Sequence, residues 1–128
     1  VLIVEDDETT RGMLRRMLEK EGWQVREAEN GRVGLQRLRE ARPSVILLDL
    51  MMPEMDGFQF VSELARLDGD DHVPVVVVTA KDITDEDRER LKGQVERIMQ
   101  KGALNREELL VRVRALMRRS RTDLNVTT

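Results

Sequence analysis

Two hydrophobic rhythms alternate along this chain, and that alternation limits its possible folds more than any other feature. Short apolar runs fall at Val1–Glu5, Trp23–Ala28, Val45–Asp49, Val73–Thr79 and Val95–Gln100. Each is followed by a stretch whose apolar residues stand three and four apart. Met13, Leu14, Met17 and Leu18 mark the first, and Val33, Leu35 and Leu38 the second. Phe58, Val61 and Leu64, then Ile83 to Leu91, then Leu109, Leu110, Val113 and Leu116 mark the rest. The runs predict strands and the spaced stretches predict helices. Strict βα alternation predicts a parallel sheet covered on both faces, with right-handed crossovers. The run Val75–Val78 is apolar at every position, as a strand buried on both faces should be.

Local punctuation agrees with these boundaries. Gly22 stands just past the first helix, where a left-handed cap is needed. Asn105 with Glu108 reads as a capping box opening the last helix. Thr84 followed by Asp85, Glu86 and Asp87 puts acids at the positive end of a helix dipole. Asp7 is best read as the cap of the first helix. Periodicity leaves two windings open, a flavodoxin-like order and a half-Rossmann order. No GxGxxG follows the first strand, where "EDDETTRG" stands instead.

Composition removes several function classes. Aromatics make up 2% of the 128 residues, too few for a surface that stacks single-stranded bases. The formal net charge of −3 argues against nucleic acid held by bulk charge. Without cysteine there is no disulfide or thiolate chemistry. No signal peptide is visible, and no apolar run is long enough to span a bilayer. The chain opens directly on "VLIVEDD" with no Met, as a piece of something longer would. It reads as one domain over 1–119 with a polar C-terminal tail over 120–128.

Ligands of open α/β sheets bind beyond the carboxyl ends of the strands, so the residues there carry the function. Glu5, Asp6 and Asp7 follow the first strand, Asp49 the third, Thr79 the fourth and Lys101 the fifth. In the order 2-1-3-4-5 the first and third strands are neighbours, and Asp6 and Asp49 converge. Clustered carboxylates repel unless a hard cation joins them; Mg²⁺ takes one or two carboxylates, waters and a phosphate. Such a set suits an aspartyl phosphate at Asp49, with Thr79 donating to one phosphoryl oxygen and Lys101 neutralising another.

The segments "VLIVEDD", "VILLDLMMPEMDG", "VVVVTAKD" and "QKG" resemble the receiver domain of bacterial two-component response regulators. The likeness covers Val1 to about Arg119: an acidic pair, then Asp with Pro four and Gly eight residues later, then Thr, then Lys. It implies a flavodoxin-like (βα)5 sandwich with sheet order 2-1-3-4-5, and transfer of a phosphoryl group from phosphohistidine with Mg²⁺ bound. By position, Asp49 is the implied phosphoacceptor and Thr79 and Lys101 its partners. Asp6 is an implied direct metal ligand, Glu5 acts through water, and Met51 supplies a backbone carbonyl. The stretch "VERIMQKGALNREELL" is similar to receivers at the C-terminus of hybrid sensor histidine kinases.

Two positions depart from the family pattern. Ile98 stands where receivers usually carry Tyr or Phe, which predicts a switch by aliphatic repacking. Gly102 replaces the usual Pro after the Lys and is free to adopt unusual dihedrals. Two other classes compete. A haloacid-dehalogenase-type phosphohydrolase needs a second Asp two residues after the first, where Met51 stands. A non-phosphorylated interaction module is opposed by the intact acids, Thr and Lys. The only histidine, His72, precedes the fourth strand without a kinase helix, so the donor is expected to be another domain, another protein or a small phosphodonor; the resemblance implies a histidine kinase or a histidine phosphotransfer domain. A homodimer or output surface is expected over Ile83–Met117. Met13 and Met17 are expected in the core by helix periodicity, with a partner patch as the alternative. The resemblance implies a bacterial cytoplasmic setting, within a membrane-anchored kinase if the parent chain is one.

Overall fold

The computed structural model describes residues 1–68 and 73–127; His72 and the end of the tail at Thr128 lie outside them. Strands β1 (Leu2–Val4), β2 (Arg26–Ala28), β3 (Ile46–Leu48), β4 (Val75–Thr79) and β5 (Arg97–Gln100) alternate with helices α1 (Glu8–Glu19), α2 (Gly31–Glu40), α3 (Gly57–Asp68), α4 (Asp85–Leu91) and α5 (Arg106–Thr127). The strands form one parallel sheet in the order β2-β1-β3-β4-β5, the flavodoxin-like winding. That order decides between the two windings that periodicity alone leaves open.

Strand alternation splits the core into two layers. Leu2, Val4, Ile46, Leu48, Val75 and Val77 face Leu35 of α2, Phe60, Val61 and Leu64 of α3, and Leu91 of α4. Ile3, Leu47, Val76, Val78 and Met99 face Leu14, Met17 and Leu18 of α1 and Leu109, Val113 and Leu116 of α5. Burying each such Val, Leu or Ile side chain stabilises by roughly 1.5–3 kcal/mol, so both faces of the sheet are sealed. Met17 belongs to the core, whereas Met13 is 44% exposed, so the expectation for the pair holds for Met17 alone.

The caps explain where elements start. Asp7 caps α1, accepting from the Thr10 N–H at 3.2 Å. Gly22 takes φ +88° after α1, the left-handed conformation expected of it. Thr84 and Asp87 form a reciprocal capping box, so α4 begins at Asp85 and not at Ile83, whose side chain packs on the core instead. Asn105 accepts from the Glu108 N–H at 3.0 Å, but the Glu108 carboxylate pairs with Arg97.

Candidate functional site

Sheet register sets the site. Val4 of β1 pairs with Leu48 of β3, and the ladder runs one residue further through Asp49 N–H to the Val4 carbonyl at 3.0 Å. Glu5 and Asp49 therefore leave the sheet side by side. Leu48 is level with Val77 of β4, and Thr79 with Gln100 of β5. Thr79 and then Lys101 thus stand progressively further out along the same rim.

Both acids at the strand ends are buried, Glu5 to 2% and Asp49 to 4% exposure, while Asp6 is exposed. Oxygens of Glu5, Asp6 and Asp49 lie within 4.8 Å of one another. The Lys101 ammonium closes the cluster at 2.6 Å from Glu5 Oε1 and 3.3 Å from Asp49 Oδ2. Backbone donors aim the other oxygens: Asp7 N–H reaches Glu5 Oε2 and Met51 N–H reaches Asp49 Oδ1, each at 3.2 Å. Both carboxylates are therefore held by hydrogen bonds as well as by charge, as buried charges must be.

Burial pushes the Glu5 carboxyl up to about 7, with Asp49 adding to the rise and Lys101 and the Asp7 N–H opposing it. Burial also acts to lower the Lys101 ammonium. Its bonds and charge contacts with Glu5 and Asp49 outweigh that and hold its proton above the usual lysine range. Three acidic side chains and one ammonium meet here, and negative charge is in excess even with Glu5 partly protonated near neutral pH. Oxygen donors with that charge fit a hard divalent cation such as Mg²⁺.

Of the sequence-derived candidates, Glu5, Asp6, Asp49 and Lys101 meet directly. Met51 is exposed in the loop after β3, with its N–H on Asp49. Thr79 is fully buried at the rim, and its hydroxyl accepts from the Lys81 N–H at 3.2 Å. Ile98 packs into the α2/α3/α4 layer. Gly102 lies in a short 3₁₀ turn, Lys101–Ala103, without a positive φ, so its dihedral freedom is not used.

Three supporting features lie outside the set of site residues expected from the sequence. A Cβ on Gly57 would lie 2.6 Å from Leu50 Cα and 2.7 Å from the Asp49 carbonyl oxygen. That close approach lets α3 start against the Asp49 loop, with Gly57 N–H bonded to the Leu50 carbonyl at 3.0 Å. Arg11 of α1 donates to the Glu5 carbonyl at 2.8 Å while pairing with Glu27 of β2. Lys81 pairs with Asp87 of α4 at 2.5 Å. The glycine's spacing from Asp49 is visible in the sequence; the two ion pairs are not.

The family described as response regulator receiver domain matches residues 1–114. "Response regulator MprA" of Mycolicibacterium vanbaalenii is 39% identical over 123 residues, covering 96% of this chain and 52% of that protein. "Response regulator MprA" of Mycobacterium leprae is 38% identical, with 96% and 53% covered. The chain thus spans about half the length of these curated relatives. Among solved structures, the signal receiver domain of a signal transduction histidine kinase from Syntrophus aciditrophicus is 31% identical with a TM-score of 0.79, covering 91% of this chain and 87% of that one. The Francisella response regulator 1452 receiver domain is 27% identical with a TM-score of 0.82, covering 93% and 96%.

Proposed function

The chain belongs to the response regulator receiver family, and from that premise we propose that it accepts a phosphoryl group on Asp49 and switches partner contacts in response. The observation that carries this is the convergence of Lys101 on Asp49 and Glu5 beside Asp6, at the carboxyl edge of the sheet. A carboxylate oxygen of Asp49 attacks the phosphorus of a phosphohistidine, the N–P bond breaks, and the imidazole leaves with the electron pair. Lys101 then turns from the carboxylates to a phosphoryl oxygen, and the Thr79 hydroxyl donates to another.

Mg²⁺ would be held by Asp6 and Asp49, by the Met51 carbonyl, and by Glu5 through water. When bound, it neutralises the charge that gathers on the phosphoryl oxygens. The donor is a histidine kinase or a histidine phosphotransfer domain. The response travels through Thr79 to the face formed by Ile83–Met117, which serves as the output or homodimer surface. Placement of this receiver in a hybrid histidine kinase, and its cytoplasmic location, belong to the same proposal. Among the described residues no helix is long and apolar enough to cross a membrane, and the net charge of −3 argues against nucleic acid held by bulk charge.

Incubation with acetyl phosphate and Mg²⁺ should add one phosphoryl group to the wild-type chain, read by intact mass. Asp49→Asn should stay unmodified. Equal labelling of the two would reject Asp49 as the acceptor.

A further inference from the structure

The hydroxyl of Thr79 is already engaged, and its partner, Lys81, is tied to two other elements. Lys81 N–H donates to Thr79 Oγ1 at 3.2 Å. The Lys81 carbonyl accepts from Gln100 Nε2 of β5 at 3.2 Å. The Lys81 ammonium reaches Asp87 Oδ2 at 2.5 Å. That same oxygen accepts the Thr84 N–H at 3.2 Å, while Asp87 N–H returns to Thr84 Oγ1 at 3.1 Å. One residue thus joins the end of β4, the edge strand β5 and the capping box that opens α4.

We propose that Lys81 is the positioning residue that passes the state of the Thr79 hydroxyl to the first turn of α4. The inference rests on phosphoryl acceptance at Asp49 and adds the route by which it is read. If Thr79 Oγ1 swings toward a phosphoryl oxygen, Lys81 N–H loses its acceptor. That N–H is partly buried, and to the extent that water is kept from it the lost bond is costly, so the loop shifts to pair it again. The Lys81 side chain moves with its backbone, and the Asp87 carboxylate loses the cation that holds it.

Asp87 is buried, and the Lys81 pair, followed by the Thr84 N–H, holds its carboxyl below the ordinary carboxylate range. The Lys81 ammonium and the Thr84 N–H meet on the same Asp87 oxygen, so the ion pair and the capping bond share one atom. No buried aromatic is required along this route; Ile98 packs against the α2/α3/α4 layer of the core.

The test is residue-resolved amide exchange with Mg²⁺ and beryllofluoride, a phosphoryl mimic whose adduct is followed by fluorine NMR. In wild type the Asp87 and Arg88 amides should exchange about tenfold faster once the adduct forms, the scale of losing a charge-assisted hydrogen bond. In Lys81→Met they should be fast beforehand and change by less than about twofold on adduct formation, with the adduct itself retained. Lys81→Arg should restore the wild-type response, as a loss of mere bulk would not predict. A Met variant that responds like wild type, or wild-type adduct with unchanged Asp87 and Arg88 amides, overturns the proposal.

Absence of any adduct in wild type would remove the Asp49 reading itself. The coupling is then decided by Thr79→Val, which must speed Asp87 exchange in wild type but not in Lys81→Met. An equal effect in both backgrounds overturns it.

Discussion

Lys101 stands closer to Glu5 than to Asp49, 2.6 Å against 3.3 Å, so the ammonium at the rim is shared between the acid of β1 and the acid of β3. Because Glu5 and Asp49 are both buried, this lysine is what makes the pair tolerable in the same pocket.

Removing Lys101 should therefore destabilise the metal-free chain. For Lys101→Met we expect a loss of about 1.5–3 kcal/mol at neutral pH, the range for hydrogen bonds to charged groups. Added Mg²⁺ should recover part of it by supplying positive charge to the same oxygens. Urea unfolding of wild type and variant with and without Mg²⁺ measures both effects, and unchanged midpoints without metal would contradict the pairing.

Gly57 and Gly102 should behave in opposite ways. Gly57→Ala places a methyl against Leu50 Cα and the Asp49 carbonyl and should lower stability by about 1–3 kcal/mol or more. Gly102→Ala meets nothing within 4 Å and needs no positive φ. It should be neutral or stabilising by up to about 1 kcal/mol, through the unfolded chain. Thermal melts of the two variants check the contrast.

Asp87 gives a pH dependence with a definite sign. Its folded carboxyl is depressed by Lys81 and the Thr84 N–H. The stability it contributes is present above the ordinary carboxylate range, near 4, and is lost as pH falls through the lower folded value. Asp87→Asn lacks this contribution at every pH. The gap between the two melting curves should be open at pH 6 and close as the pH is taken toward 2; a gap constant across that range would speak against the ion pair.

Binding of Mg²⁺ at the acids should raise the unfolding free energy by about 1.4 kcal/mol at tenfold its Kd, by mass action. The amides of Asp6, Asp7 and Met51 should shift in the same titration. Trp23 lines a cleft of about 730 Å³ beside Pro43 and Arg114, at the opposite, amino-terminal end of the sheet. Its fluorescence should stay flat, which makes this tryptophan unsuitable as the reporter its uniqueness in the chain suggests. Asp49→Asn should weaken the stabilisation, read by melting at fixed Mg²⁺.

Short-range physics could be read directly from the order of residues. Period and run length marked five strands and five helices, because apolar residues must face a core whatever the topology. Asp7 and Thr84 were legible as caps, since a side-chain oxygen meets an N–H three residues on without help from the rest of the chain. The acids, threonine and lysine were legible as strand-end residues for the same reason. The partnerships came from packing. Sheet order brought Glu5 and Asp49 together across 44 positions, and Lys101 chose Glu5 as its nearer partner. Glu108 left its own helix cap for Arg97, Met13 parted from Met17, and Lys81 found Asp87. Each of these depends on register and on the space left between packed elements, quantities that exist only once distant segments have been laid side by side.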